Sequence, residues 1–215
     1  LFAVAALSAS AQRNVENFNF GWQFHRGNID VTAINTSDGS WETINVPHDF
    51  QISQPWVAPA ANESEDNSDG ASNFKSRLSA RGFKEMGDGW YVKTYTPAAD
   101  MKGRRILLDF EGIMYVGDVY LNGKRIGGTD YGYLGFDIDV SKLLKYGQAN
   151  TIAVHASTSG PLNSRWYTGG GLYRDVKIVS TPADIYFVRH PLYVTTTDNH
   201  IVNLQVEVAN YTKQN

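Results

Sequence analysis

Apolar and polar positions alternate along most of this chain with a period of two, the repeat that sets successive side chains on opposite faces of a strand. Trp90-Tyr91-Val92-Lys93-Thr94-Tyr95 and Gly135-Phe136-Asp137-Ile138-Asp139-Val140 show it clearly, and Arg104 to Phe110 is the most apolar of these runs. Asn17 to Phe24 alternates polar with aromatic residues and reads as one half-buried strand; Trp41 to Val46 reads as another, ended by Pro47. Val116 to Leu121 and Lys124 to Thr129 flank Asn122-Gly123. Asn-Gly between two such runs predicts a two-residue hairpin turn with both central residues at positive φ. Asn150 to Ala156 and Val176 to Val179 supply two further strands, whereas Ser141 to Lys145 offers at most one or two helical turns begun by a capping serine. Strands joined by short turns, with no sustained 3.6-residue period, predict an all-β antiparallel sandwich.

Thr181-Pro182 interrupts this pattern. Ile185 to Val188, Leu192 to Val194 and Ile201 to Val208 then read as the opening strands of a second β-domain. Two or three strands cannot close a core, so the natural protein is expected to continue past Asn215. Ala58 to Met86 shows no clear period and is rich in Asn, Asp, Ser, Ala and Gly. A connection of that length is either mobile or functional. Its acidic half, Glu63 to Asp69, spaces carboxylates as a calcium loop does, but it lacks the glycine at the sixth place and the closing glutamate, so a solvated loop is the expectation.

Composition narrows the function. The 215 residues can bury a large core, and a net charge of -3 without a basic run argues against a nucleic-acid surface. No cysteine is present, which removes disulfides and thiolate metal sites. Aromatic residues make up 13% of the chain and many lie beside Gly, Asn or Asp, a mixture suited to offering flat rings to a polar ligand. Leu1 to Ala11 is small and apolar and ends Ala9-Ser10-Ala11. It reads as the tail of a secretory signal, too short for a membrane span, with the mature protein starting near Gln12 outside the cytoplasm.

The candidate chemistry centres on Asn163 to Asp175, where two arginines and several aromatics surround Gly169-Gly170-Gly171. Three consecutive glycines exclude a helix and predict a rigid loop between strands, a place where a β-scaffold presents a binding surface. The glycines and Tyr173 are assigned to turning and packing, and Arg165, Trp166 and Tyr167 to ligand contact. His48 and Asp49 are neighbours, but adjacent residues on an extended chain point to opposite sides, so a loop-shaping or ligand-contact role is expected rather than a dyad. Arg174 is expected to pair with Glu111 or Asp109, His155 to be a hydrogen-bonded core residue, and Trp22, Trp41 and Trp90 to be core aromatics.

In this order and spacing, several stretches make the chain resemble the amino-terminal sugar-binding domain of glycoside hydrolase family 2, and most closely its secreted beta-galactosidase-like members. They are Phe18 to Phe24, Val46 to Phe50, Gly89 to Thr94, Asp109 to Gly112, Val119 to Lys124, Tyr131 to Tyr133, Phe136 to Ile138, Asn163 to Tyr167 and Gly171 to Val176. The pattern departs from the family at Phe50, Thr168 and Tyr115. The resemblance implies a jelly-roll, galactose-binding-like sandwich over residues 12–181 and the start of an immunoglobulin-like domain over 182–215. It further implies a retaining exo-glycosidase whose two catalytic glutamates lie on a later (β/α)8 barrel, so no catalytic residue is assigned here. His48, Asp49, Asn163, Arg165, Trp166 and Tyr167 match loops that help close the pocket around a terminal sugar. No cofactor, metal, nucleic acid or membrane span is expected; the expected partners are a carbohydrate substrate and the barrel of the same chain, with homo-oligomerisation left open. A free-standing carbohydrate-binding module, or the same domain of a beta-glucuronidase or beta-mannosidase, is the competing reading.

Overall fold

Twelve strands carry the fold of the computed structural model, which describes residues 13–57, 83–159, 167–197 and 200–212. In chain order they are β1 (Asn14–Asn17), β2 (Trp22–Arg26), β3 (Glu42–Ile44), β4 (Asp88–Tyr95), β5 (Arg105–Phe110) and β6 (Val116–Leu121). There follow β7 (Lys124–Thr129), β8 (Phe136–Asp139), β9 (Asn150–Ser157), β10 (Val176–Thr181), β11 (Ile185–Thr196) and β12 (Val202–Asn210). A six-stranded sheet runs in the order β3-β2-β4-β9-β6-β7 and a four-stranded sheet in the order β1-β10-β5-β8, with every pair antiparallel. This is the all-β antiparallel sandwich that the alternation predicts.

The period of two decides what meets between the sheets. Ile152, Val154 and Ala156 of β9 and Val119 and Leu121 of β6 face Ile106, Leu108 and Phe110 of β5 and Val176 and Ile178 of β10. Trp22, Phe24 and Tyr91 fill the same layer, so Trp22 is a core residue as expected. Trp90 and Val92 point the other way and form a second cluster with Ala153, roofed by Ile29, Val31, Ile34 and Trp41. His155 accompanies that cluster, stacked on Trp90 with ring centroids 4.8 Å apart and bonded through Nε2 to Asp88 Oδ1 at 2.9 Å.

Local chemistry modifies the simple pattern at three places. Asn17 to Phe24 is not one strand: β1 belongs to the four-stranded sheet and β2 to the six-stranded one, and the chain crosses between layers at Phe18 to Gly21, where Gly21 adopts a φ of 74°. Ser141 to Lys145 makes a single turn, with the Leu143 and Leu144 amides both donating to the Val140 carbonyl; the Ser141 hydroxyl serves a strand end instead, accepting from the Ile106 amide at 2.8 Å. Asn122 and Gly123 sit at φ of 51° and 82°, the hairpin turn their dipeptide predicts.

The two runs after Pro182 join into the single strand β11, with an irregularity between Phe187 and Leu192, and β11 pairs with β12. Phe187, Leu192 and Val194 register with Val208, Val206 and Leu204, an apolar face left about half exposed. Most of the Ala58 to Met86 connection, including the acidic half considered for calcium, lies outside the described residues, as does Leu1 to Ala11.

Candidate functional site

Residues 48–50 and 170–172 run together as a short stretch of paired backbone. The His48 amide donates to the Leu172 carbonyl at 2.7 Å and the Phe50 amide to the Gly170 carbonyl at 2.9 Å. On its other side the Gly171 strand bridges to Met114. So close an approach needs glycine. Gly171 has a φ of 113°, and a Cβ there would stand 2.1 Å from the Tyr91 hydroxyl; at Gly169, with a φ of 75°, it would stand 2.7 Å from Asp49 Oδ2. The glycine run thus serves close packing as well as the turn expected of it.

Asp49 is the hub of this arrangement. Its Oδ1 accepts from the Gln51 and Gly170 amides, both at 2.9 Å, and its Oδ2 accepts from the Tyr167 hydroxyl at 2.7 Å. The half-buried Tyr167 hydroxyl is held protonated, because burial and the adjacent Asp49 carboxylate both push its pKa up. Its oxygen keeps acceptor capacity for a ligand hydroxyl.

His48 turns to the opposite side. Its Nδ1 lies 2.9 Å from the Tyr91 hydroxyl, and its ring packs edge-on against Phe24 at 4.8 Å. Burial pulls its pKa down, outweighing the pull of Glu42 and Asp49 in the other direction. Tyr91 is itself buried, which pushes its pKa well up. With the Tyr91 hydroxyl donating to Nδ1, neutral His48 carries its proton on Nε2, a donor with no partner among the described residues. The two neighbours do not form a dyad with each other.

The structure therefore brings Asp49 and Tyr167 into direct contact, with His48 next to Asp49 in the chain and turned to the other side. Asn163, Arg165 and Trp166 lie outside the described residues. Tyr91 is the member that sequence reasoning missed; its inward position on a strand was legible, and a buried phenol needs a hydrogen-bond partner. Arg174 corrects an expectation: it pairs with no carboxylate among the described residues, donating instead to the main-chain carbonyls of Glu111 and Tyr133. The acids assigned to it are taken, Glu111 by Lys177 and Asp109 by Arg189. Among the described residues no cluster of three or more His, Cys, Asp or Glu could hold a metal. A phenol, an imidazole N–H and a clamped carboxylate can bond hydroxyl groups and orient them.

The family described as glycosyl hydrolase 2 galactose-binding domain-like matches residues 77–165. A beta-galactosidase, BoGH2A, from Bacteroides ovatus is 29% identical over 220 residues, spanning 100% of this chain and 24% of that protein. A putative beta-glucuronidase from Formosa agariphila is 34% identical over 170 residues, spanning 79% of this chain and 15% of that protein. The crystal structure of a beta-glycosidase from Bacteroides vulgatus superposes with a TM-score of 0.74 at 28% identity, covering 94% of this chain and 25% of that one. The chain thus spans a quarter or less of the length of these relatives.

Proposed function

We propose, from the premise that this chain carries the galactose-binding-like domain of glycosyl hydrolase family 2, that it is the amino-terminal part of a retaining exo-beta-glycosidase acting on terminal beta-linked galactose. The observation that carries the reading is the Asp49 hub, which fixes the 48–51 loop to the 167–172 loop and leaves Tyr167 and His48 Nε2 as hydrogen-bonding groups. Retaining hydrolysis needs one carboxylic acid to protonate the leaving oxygen and a second carboxylate, roughly 5 to 5.5 Å away, to attack the anomeric carbon. Both belong to a (β/α)8 barrel outside these 215 residues, and the loops of this domain complete its pocket, with Asn163, Arg165 and Trp166 assigned to sugar contact beside Tyr167. The β11–β12 hairpin opens an immunoglobulin-like domain. The apolar Leu1 to Ala11 run supports export from the cytoplasm.

A second reading changes only the sugar: the Formosa agariphila relative is named a putative beta-glucuronidase, and selectivity among such sugars lies largely on the barrel. Assay of the full-length protein on p-nitrophenyl beta-galactoside, beta-glucuronide and beta-mannoside separates the readings. Turnover of the galactoside above the others supports the first and preference for the glucuronide the second. Sugar binding without hydrolysis of any of the three leaves a carbohydrate-binding module.

A further inference from the structure

A cleft of about 610 Å³ opens where the irregular part of β11 arches over the outer face of the four-stranded sheet. Its size falls within the roughly 300 to 1,000 Å³ usual for small-molecule sites. None of its lining residues belongs to the His48, Asp49 and Tyr167 cluster.

The wall is built by strand alternation. On β10 and β5, Ile178 and Leu108 point into the core, so Lys177 and Asp109, paired in register, point outward. Arg189 then ties β11 down over them, bonding Asp109 at 2.9 Å and the Gly135 carbonyl at 2.7 Å. Phe187, 55% exposed, and Pro191 supply an apolar side to the cleft.

Its charge does not balance. Lys177 pairs with Glu111 and Arg189 with Asp109, but Arg13 and Arg174 line the same space without a carboxylate. Arg174 reaches two main-chain carbonyls, at 3.4 and 3.3 Å, and lies over the Tyr173 ring with its Cζ 4.9 Å from the centroid, and Arg13 has no hydrogen-bond partner among the described residues. Four cations against two carboxylates leave two positive charges unmatched in the lining. Asp175, which accepts from the Asn19 side-chain amide at 2.9 Å and lies 3.9 Å from Lys177, stands outside the lining and offsets part of this excess.

Guanidinium groups bind carboxylates through paired, charge-assisted hydrogen bonds, and an aromatic ring beside them covers the apolar face of a sugar. We propose that this cleft binds a carboxylated saccharide unit, with Arg13 and Arg174 holding the carboxylate and Phe187 covering the ring. A bare anion would use the arginines and leave the Phe187 wall empty; a neutral sugar would leave the arginines unpaired. Binding here is independent of which glycoside the full-length protein cleaves.

Calorimetric titration of the full-length protein, at fixed ionic strength, uses a thio-linked diuronate disaccharide that cannot be hydrolysed, a neutral thio-linked disaccharide and sulfate. The diuronate is expected to saturate and to bind at least about fivefold more tightly than either comparator. Arg13→Gln, which removes no internal hydrogen bond, should alone weaken it by roughly threefold or more, and Arg13→Gln with Arg174→Gln by about tenfold. Asp49→Asn should leave this binding unchanged. Affinity unaltered in the double variant, sulfate binding as tightly as the diuronate, or no saturable heat overturns the proposal. So does a glutamate-rich peptide that binds more tightly than the diuronate and is lost in the same variants, which would assign the cleft to a protein partner.

Discussion

The Tyr167 hydroxyl donates to Asp49 Oδ2 across 2.7 Å, joining two loops 118 residues apart in the chain. Asp49 Oδ1 meanwhile holds the amide of Gly170, three residues past Tyr167, so one carboxylate grips both ends of that turn. The hydrogen bond is to a charged group but half exposed. Tyr167→Phe should therefore cost only about 1 kcal/mol of stability, read by urea denaturation. A loss comparable with deleting a core side chain would show that Tyr167 holds the fold rather than the loop.

Gly171 and Gly123 test whether the glycine run is there for space or for turning. Both have positive φ, but a Cβ at Gly123 meets nothing within 4 Å, whereas one at Gly171 stands 2.1 Å from the Tyr91 hydroxyl and 2.9 Å from the His48 carbonyl. Gly123→Ala should lose about 1 to 2 kcal/mol, the cost of a left-handed residue alone. Gly171→Ala should lose at least about twice that, since backbone must also move. Equal losses would mean that the 48–50 segment yields easily.

His48 gives the domain a signed dependence on pH. Burial holds its folded-state pKa below the ordinary 6.5, so the unfolded chain binds more protons between the two values, and stability rises with pH across that window. The contribution is fully present above about 6.5 and is lost as pH falls through the folded value. Melting temperature should drop between pH 7 and pH 5 more steeply in the wild type than in His48→Gln. Parallel curves would remove His48 from the account.

Asn150 is buried and holds the turn before β9 from inside. Its Nδ2 donates to the carbonyls of Lys145 and Gln148 at 2.9 and 3.0 Å, and its Oδ1 accepts from the Lys145 amide at 2.9 Å and from Asn122 Nδ2 at 3.0 Å. Asn150→Ala strands several of these groups and should cost about 2 to 4 kcal/mol by chemical denaturation. A cost under about 1 kcal/mol would show that water replaces the side chain freely.

Much of this was legible in the sequence. The alternation in β4, β5, β6 and β9 fixed which side chains meet between the sheets, and Asn122-Gly123 announced its hairpin, because both signals are local. The sheet assignment of β1 and β2 was not legible: a single alternating run conceals the crossing at Gly21, which only pairing with β10 and β4 reveals. At the candidate site the sequence pointed to His48, Asp49 and Tyr167 and against a dyad between the first two. It could not show that Asp49 spends its oxygens on Gln51, Gly170 and Tyr167, nor that Tyr91 steadies His48, since both relations depend on tertiary approach. Arg174 was misread for the same reason, its expected acids having been taken by Lys177 and by Arg189 from β11.

If the two loops joined at Asp49 form part of a sugar pocket, as proposed, turnover should depend on the Tyr167 hydroxyl. Steady-state kinetics of the full-length protein with Tyr167→Phe, beside its melting temperature, test this most directly. The account predicts that kcat/KM on the preferred p-nitrophenyl glycoside falls by about tenfold or more, a loss of roughly 1.4 kcal/mol in transition-state binding, while melting shifts by only a few degrees. An unchanged kcat/KM in the folded variant would contradict it.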